Sequence, residues 1–187
     1  SMLQTYDLSI DDFAGLEGCN EMLCKTRPDV VKEIHAAYYN AGADVVETNS
    51  FGSTGIVLGE YDIAEQAYEL SKLSAELAKE VAKSYNDRPR YVAGSIGPST
   101  KLPTLGHMSY QDMKAAYIPQ IEGLVDGGAD ILLIETCQDL LQVKATLSAL
   151  TAVRESSGKR VPTMVQVTIE QMGTMLVGSD IATVVSA

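Results

Sequence analysis

The chain has 187 residues, 45% of them apolar, which suits one hydrophobic core and is short for two domains. Its formal net charge of -11 argues against binding to nucleic acid or to an anionic membrane surface, since both need clustered Lys and Arg; such acidity is typical of a soluble cytoplasmic protein. No run of about 18 apolar residues is present, and the first residues lack the pattern of a secretion signal, so we expect neither a membrane span nor export.

The cysteines and histidines are few and scattered. Cys19, Cys24 and Cys137 form an odd, sparse set that gives no disulfide framework and indicates a reducing compartment. Cys19 and Cys24 are five positions apart, wider than the close pairs of zinc knuckles, so we interpret them as ordinary thiols. His35 and His107 lack partners at metal-binding spacing and are expected to be structural or exposed.

Apolar spacing and turn residues predict alternating helices and strands along the chain. The predicted helices cover residues 26–40, 61–85, a segment that opens at Ser109 and ends before Gly127, and 140–154. Thr26 is expected to cap the first of them, and Ser109 with Asp112 resembles a capping box. Pro119 is expected to kink or divide the third helix.

The predicted strands are short apolar runs between these helices. They cover Val45 and Val46 with an end at Glu47, Thr48 and Asn49, then residues 91–96, 131–134 and 163–168. Residues 184–187 are expected to begin a further helix. Alternation of this kind predicts a parallel α/β sheet with helical crossovers. An eight-stranded barrel needs about 250 residues, so the abrupt end suggests a piece of a longer barrel.

One phrase occurs twice and gives the best indication of function. Residues 42–49 read Gly-Ala-Asp-Val-Val-Glu-Thr-Asn, and residues 128–136 read Gly-Ala-Asp-Ile-Leu-Leu-Ile-Glu-Thr. Each time a turn enters a buried strand that ends in a carboxylate and a hydroxyl. Parallel α/β proteins place their chemistry at such strand ends, so we expect two equivalent units facing one mouth.

The residues around these strand ends resemble the homocysteine S-methyltransferase family. The matching stretches are residues 2–4, 41–51, 92–98, 127–136 and 167–168. Within the family the likeness is greatest to the N-terminal homocysteine-binding module of its cobalamin-dependent members, the methionine synthases. The resemblance implies a (β/α)8 TIM barrel, of which residues 1–187 are expected to form a partial domain with about strands two to five.

The resemblance also implies a reaction and its cofactors. The family transfers a methyl group to the thiol of homocysteine, giving methionine, and activates that thiol with zinc held by three cysteines. None of those cysteine positions is matched in this chain, so we expect no metal ligand, no catalytic residue and no activity from it alone. In the cobalamin-dependent members, methylcobalamin and methyltetrahydrofolate are carried by further modules.

Several strand-end residues are candidates for holding the amino-acid end of homocysteine. The resemblance implies that Glu135 pairs with the substrate ammonium, the alternative being a carboxylate satisfied by neighbouring backbone. Ser95 and Gly97 end another strand, where Gly97 either lets the backbone approach a ligand or serves as a turn residue. Thr168 is expected to line the pocket at the end of the last strand.

Three further candidates follow the strand at Val45. Thr48, Asn49 and Phe51 match the family pattern, and Asn49 either bonds the substrate or locks its loop. Phe51 either packs on the substrate or belongs to the core. Strand alternation places Glu47 and Thr48 on opposite faces, and we favour Thr48 for the mouth.

Other interpretations remain open at this level. A stand-alone homocysteine methyltransferase using betaine or S-methylmethionine would share the same barrel. A non-catalytic half-barrel is also possible, and its open sheet edges predict self-association. A small nucleotide-binding domain would need a Gly-rich turn after its first strand, which is missing.

Overall fold

A computed structural model describes residues 2–187 and shows one parallel sheet. Its strands are Val45–Glu47 (β1), Tyr91–Ile96 (β2), Ile131–Cys137 (β3) and Thr163–Val167 (β4). They lie side by side in sequence order, and each neighbouring pair is parallel. The predicted α/β fold with helical crossovers is confirmed.

Helices connect the strands. They are Leu23–Thr26 (α1), Pro28–Asn40 (α2), Gly55–Leu58 (α3), Ala67–Lys83 (α4), Tyr110–Asp126 (α5), Leu140–Ser157 (α6) and Ile181–Ser186 (α7). The largest apolar cluster packs α5 and α6 against β2 and β3, with Ile96, Leu132 and Ile134 fully buried on that face. The helices thus cover one face of the sheet, and alternate residues of the strands are left for the other face.

The two outer strands each pair on one side only. β1 pairs with β2, and β4 pairs with β3. Met164 and Val165 of β4 and Val45 of β1 are largely exposed. Within residues 2–187, the sheet is therefore open at both edges.

Two predicted helix starts were wrong. Thr26 ends α1 instead of capping α2, because its hydroxyl donates to the carbonyls of Met22 and Asp12. The helix predicted from residue 61 begins at Ala67, since Asp62 is left-handed and 3₁₀ turns occupy Gly59–Tyr61 and Ala64–Gln66.

The other predicted helix and strand boundaries differ less from the structure. Strand 91–96 is confirmed residue for residue, and Ser109 caps α5 by accepting from the Asp112 amide at 3.1 Å. Pro119 does not divide α5, which packs against α4 and α6. β3 continues three residues past its predicted end, α6 continues to Ser157, and α7 begins at residue 181 behind its Asp180 cap. No helix in the described part of the chain is long and apolar enough to cross a membrane.

Candidate substrate-binding mouth

The carboxyl ends of β1, β2 and β3 meet at one edge of the sheet, which we call the mouth. The side chains brought together there are Glu47, Ser95 and Glu135. The parallel register sets Glu47 opposite Ala93 and Ser95 opposite Leu133. The Ser95 hydroxyl donates to Glu135 Oε1 at 2.6 Å, although Ser95 is only 1% exposed. One oxygen of Glu135 is therefore fixed by a buried donor from the neighbouring strand.

Strand alternation explains why Glu135 faces away from the helices. Leu132 and Ile134 are buried under α5 and α6, so Leu133 and Glu135 lie on the opposite face, where both are partly exposed. The Thr136 hydroxyl lies 3.4 Å from Glu135 Oε2. Among residues 2–187 the donors to the Glu135 carboxylate are the side-chain hydroxyls of Ser95 and Thr136, so the structure does not support the alternative of a carboxylate satisfied by neighbouring backbone.

The structure reverses the expected orientation of Glu47 and Thr48. Thr48 is 5% exposed, shares a 2.6 Å hydrogen bond with the Ser50 hydroxyl and accepts from the Ser95 amide at 2.9 Å. It ties β1 to β2 and does not face the mouth. Glu47 is accessible to solvent instead. The pKa of its carboxyl is raised, first by the partial loss of hydration among its neighbours and then by the negative charge of Glu135.

The loop after β1 is fixed by the segment that precedes α1. Asn49 donates through Nδ2 to the Asn20 carbonyl at 2.8 Å, so this side chain locks its loop in the structure. Glu21, which is buried, accepts from the Gly52 amide at 2.7 Å. Between these anchors Phe51 is 43% exposed, so it is not a plain core residue.

Gly97 and Thr168 occupy backbone positions beside this mouth. The Gly97 amide donates to the Phe51 carbonyl at 3.1 Å, and a Cβ at Gly97 would lie 2.6 Å from that oxygen. The close approach at Gly97 is therefore to the chain itself. Thr168 directly follows β4, and its amide donates to the Cys137 carbonyl at 2.9 Å. Substrate contact by any of the candidate residues stays a prediction.

Two supporting residues were missed in the sequence. Burial raises the pKa of the Glu21 carboxyl, and the hydrogen bond from Gly52 partly opposes this. Gln120 of α5 is fully buried and donates to the Ser50 carbonyl at 2.7 Å and to the Ser95 carbonyl at 3.3 Å. A polar residue on the apolar face of a predicted helix is the one signal that could have revealed Gln120.

The residues present do not fit a zinc ion. Within residues 2–187 no group of three or more His, Cys, Asp or Glu side chains could hold a metal. The three cysteines are buried, and burial raises their thiol pKa to about 11 in Cys19 and about 12 in Cys24 and Cys137. Such thiols stay protonated near neutral pH, whereas metal ligands are thiolates.

The parallel sheet, with carboxylates at its strand ends, gives the α/β class of fold. Comparison of this chain with known proteins gives its family. The family model described as homocysteine S-methyltransferase matches residues 1–187. Methionine synthase of Mycobacterium tuberculosis is 50% identical over 189 residues, covering 100% of this chain and 16% of that protein. Methionine synthase of Mycobacterium leprae is 49% identical over the same lengths.

Solved structures agree with this assignment. The oxidized form of the homocysteine methyltransferase MmuM from Escherichia coli has a TM-score of 0.80 at 24% identity, covering 99% of this chain and 65% of that one. Its metallated form has a TM-score of 0.76 at 25% identity, covering 99% and 71%. This chain belongs to the homocysteine S-methyltransferase family, and it spans 16% of the length of the mycobacterial relatives.

Proposed function

We propose that this chain holds the amino-acid end of homocysteine in a methyltransferase module, with Glu135 receiving the substrate ammonium. The observation that carries this proposal is the Ser95–Glu135 hydrogen bond at the strand ends of a chain from this family. Ser95 donates to Oε1 at 2.6 Å, whereas Oε2 accepts only the longer 3.4 Å hydrogen bond from the Thr136 hydroxyl, so Oε2 is the oxygen better able to accept from a ligand. A charge-assisted hydrogen bond from an ammonium would be short and strong at this position.

The charge around the mouth supports a cationic ligand. Neither Glu47 nor Glu135 has a Lys, Arg or His partner within 4.0 Å in the part of the chain that the structure describes. Their mutual repulsion contributes to the raised pKa of Glu47. A bound ammonium would relieve that repulsion, since an opposite charge within about 4–6 Å favours the ionised carboxylate.

The methyl transfer itself needs groups beyond these. A free thiol has a pKa near 8.5, and binding to Zn²⁺ deprotonates it and holds it in place. Since residues 2–187 offer no fitting ligand set, we propose that zinc, and the cobalamin and methyltetrahydrofolate modules of a methionine synthase, belong to other parts of the natural protein. By itself this chain is expected to be inactive.

The sheet edges support a partial barrel of about strands two to five. A groove of about 490 Å³ runs between α2 and the open side of β1, lined in part by Val31, His35 and Val45. His35 is buried, burial lowers its pKa to about 4, and its Nε2 has no hydrogen-bond partner in the described chain. A further strand added to β1 would fill the groove and could supply that partner.

The methyl donor distinguishes two versions of this proposal. Over the whole of this chain the sequence is 50% identical to methionine synthase of Mycobacterium tuberculosis, which favours the cobalamin-dependent version. The alternative is a stand-alone homocysteine methyltransferase using S-methylmethionine or betaine, which would share the same barrel. Assaying the natural protein with methylcobalamin, S-methylmethionine and betaine in turn would separate them. The three unpaired thiols support a cytoplasmic location for either version.

The isolated chain is also proposed to self-associate through its open edges, as a non-catalytic half-barrel would. Light scattering at micromolar concentration would measure this. A mass equal to one chain would contradict the proposal, and a mass of two chains would support it.

Glu135→Gln tests the proposed function in the natural protein that carries these residues. We expect the KM for homocysteine to rise roughly ten- to a hundredfold, because hydrogen bonds to charged groups contribute about 1.5–3 kcal/mol. Inhibition by 4-mercaptobutanoate, which lacks the amino group, should stay unchanged. Glu155→Gln on the exposed surface of α6 is the matched control. An unchanged KM in Glu135→Gln would overturn the ammonium assignment.

A further inference from the structure

An irregularity in β3 determines which side chains reach the mouth. Ile134 pairs with Val165 and Cys137 pairs with Val167, so β3 has two residues where β4 has one. This is a β-bulge, with one extra residue in β3. Ile134 and Cys137 are both buried although they are three positions apart, which regular alternation does not allow.

The backbone accommodates the extra residue at Thr136. Its φ of 57° is left-handed, a conformation that is a genuine outlier for a β-branched residue. The residues after it are firmly held: Cys137 is buried and accepts from Thr168, and the fully buried Asp139 accepts from the Leu141 amide at 2.8 Å. Strained backbone persists only where its surroundings fix it, and such positions cluster at functional sites.

The bulge presents two consecutive side chains at one place. In a regular strand Glu135 and Thr136 would face opposite sides. Here Thr136 is exposed, and its hydroxyl donates at 3.4 Å to Glu135 Oε2, the oxygen to which Ser95 does not donate; the lone pairs of that hydroxyl remain able to accept.

We propose that Thr136 is a specificity-determining residue of the ammonium subsite, placed there by the bulge. The proposal rests on the proposed function. A primary ammonium has three N–H donors, and Glu135 Oε2 can accept one while the Thr136 hydroxyl oxygen accepts a second. The subsite would therefore favour an amino group with at least two N–H donors, since a dimethylated ammonium has only one and leaves one of the two acceptors unpaired.

The test compares Thr136→Val and Thr136→Ser in the natural protein. Val keeps the branched shape and loses the hydroxyl, whereas Ser keeps the hydroxyl. We expect Thr136→Val to raise the KM for homocysteine about tenfold or more with little change in kcat, because the lost hydrogen bond has a charged donor and such bonds contribute about 1.5–3 kcal/mol. Thr136→Ser should stay near wild type, and N,N-dimethylhomocysteine should be discriminated against less by Thr136→Val than by wild type.

Thr151→Val on the exposed side of α6 is the matched control, and Thr136→Gly replaces Thr136→Val if the latter fails to fold. If Glu135→Gln raises the KM and the hydroxyl-free variants do not, this inference is wrong and the proposed function stands. If Glu135→Gln also has no effect, the proposed function fails with it. A loss in Thr136→Ser equal to that in Thr136→Val would show that the hydroxyl is not the determinant.

Discussion

Gly97 is the position where a single methyl group should disturb the mouth most. A Cβ built there would lie 2.6 Å from the Phe51 carbonyl oxygen and 2.8 Å from two atoms of the Phe51 ring. Real Cβ contacts essentially never fall below 3.0 Å. Because the nearest obstacle is backbone, a change of rotamer cannot relieve the clash, and the loop after β1 must move.

We expect Gly97→Ala to lower the free energy of unfolding by about 1–3 kcal/mol, the usual cost of overpacking. In a chain of this size each kcal/mol shifts Tm by about 2–4 °C, so Tm should fall by roughly 2–12 °C. The hydrogen bond from the Gly97 amide to Phe51, 3.1 Å long, should weaken as the loop shifts. The same displacement should raise the KM for homocysteine in the natural protein, since Asn49 and Phe51 move with the loop.

Urea unfolding followed by circular dichroism measures the effect, with Gly55→Ala as the matched control. A Cβ at Gly55 would lie 3.8 Å from the nearest atom, the Ala64 carbonyl oxygen, which is ordinary contact. Since Gly55 begins α3 and Ala favours helix, this control should be neutral or slightly stabilising. If Gly97→Ala unfolds at the same urea concentration as Gly55→Ala, the loop is not held as described.

Three further predictions concern groups around the same sheet. Glu21→Ala should cost about 1–3 kcal/mol in urea unfolding by leaving the Gly52 amide without its buried acceptor, whereas Glu21→Gln keeps an acceptor oxygen and should cost less. Partial burial and the charge of Glu135 raise the pKa of Glu47 in the folded state, so its contribution to stability is greatest at low pH and is lost as pH rises through that pKa. Glu47→Gln should therefore flatten the fall of the urea midpoint as pH rises above about 4.3, the ordinary pKa of a Glu carboxyl. The buried thiols, all with raised pKa, should react with a thiol reagent at about pH 8 only after unfolding, and a rapid reaction of the folded chain would contradict their burial. They are Cys19, Cys24 and Cys137.

The sequence was most informative where a buried strand has clear boundaries. Strand 91–96 is flanked by Asp-Arg-Pro-Arg and Gly-Pro, and its prediction agrees with β2 at both ends. The start of α4 was misplaced because the apolar spacing continues through residues that are not α-helical. Ile63, which directly precedes the 3₁₀ segment Ala64–Gln66, packs against the cluster of Leu58, Ala67 and Leu70, so its burial resembles that of a helical residue.

The mouth was predictable only in outline. Alternation correctly separated Glu47 from Thr48 but could not say which of them faces the mouth. That choice depends on the Ser95 amide and the Ser50 hydroxyl, which bind Thr48 from the neighbouring strand β2, 47 residues further along the chain, and from its own loop. The left-handed Thr136 has no sequence signal, because Gly or Asn is the residue expected at positive φ.

Recognition of the ammonium group and activation of the thiol should be separable along the polypeptide. The described residues present oxygen acceptors at the mouth, centred on Glu135, while their cysteines are buried and protonated. In the proposed function the metal ligands lie on other strands, so Glu135→Gln in the natural protein should raise the KM for homocysteine and leave bound zinc unchanged. Elemental analysis of the purified protein measures the metal, with Glu155→Gln as the control. A Glu135→Gln protein that has lost its zinc would show that the two tasks share one structural unit, and the separation argued here would be wrong.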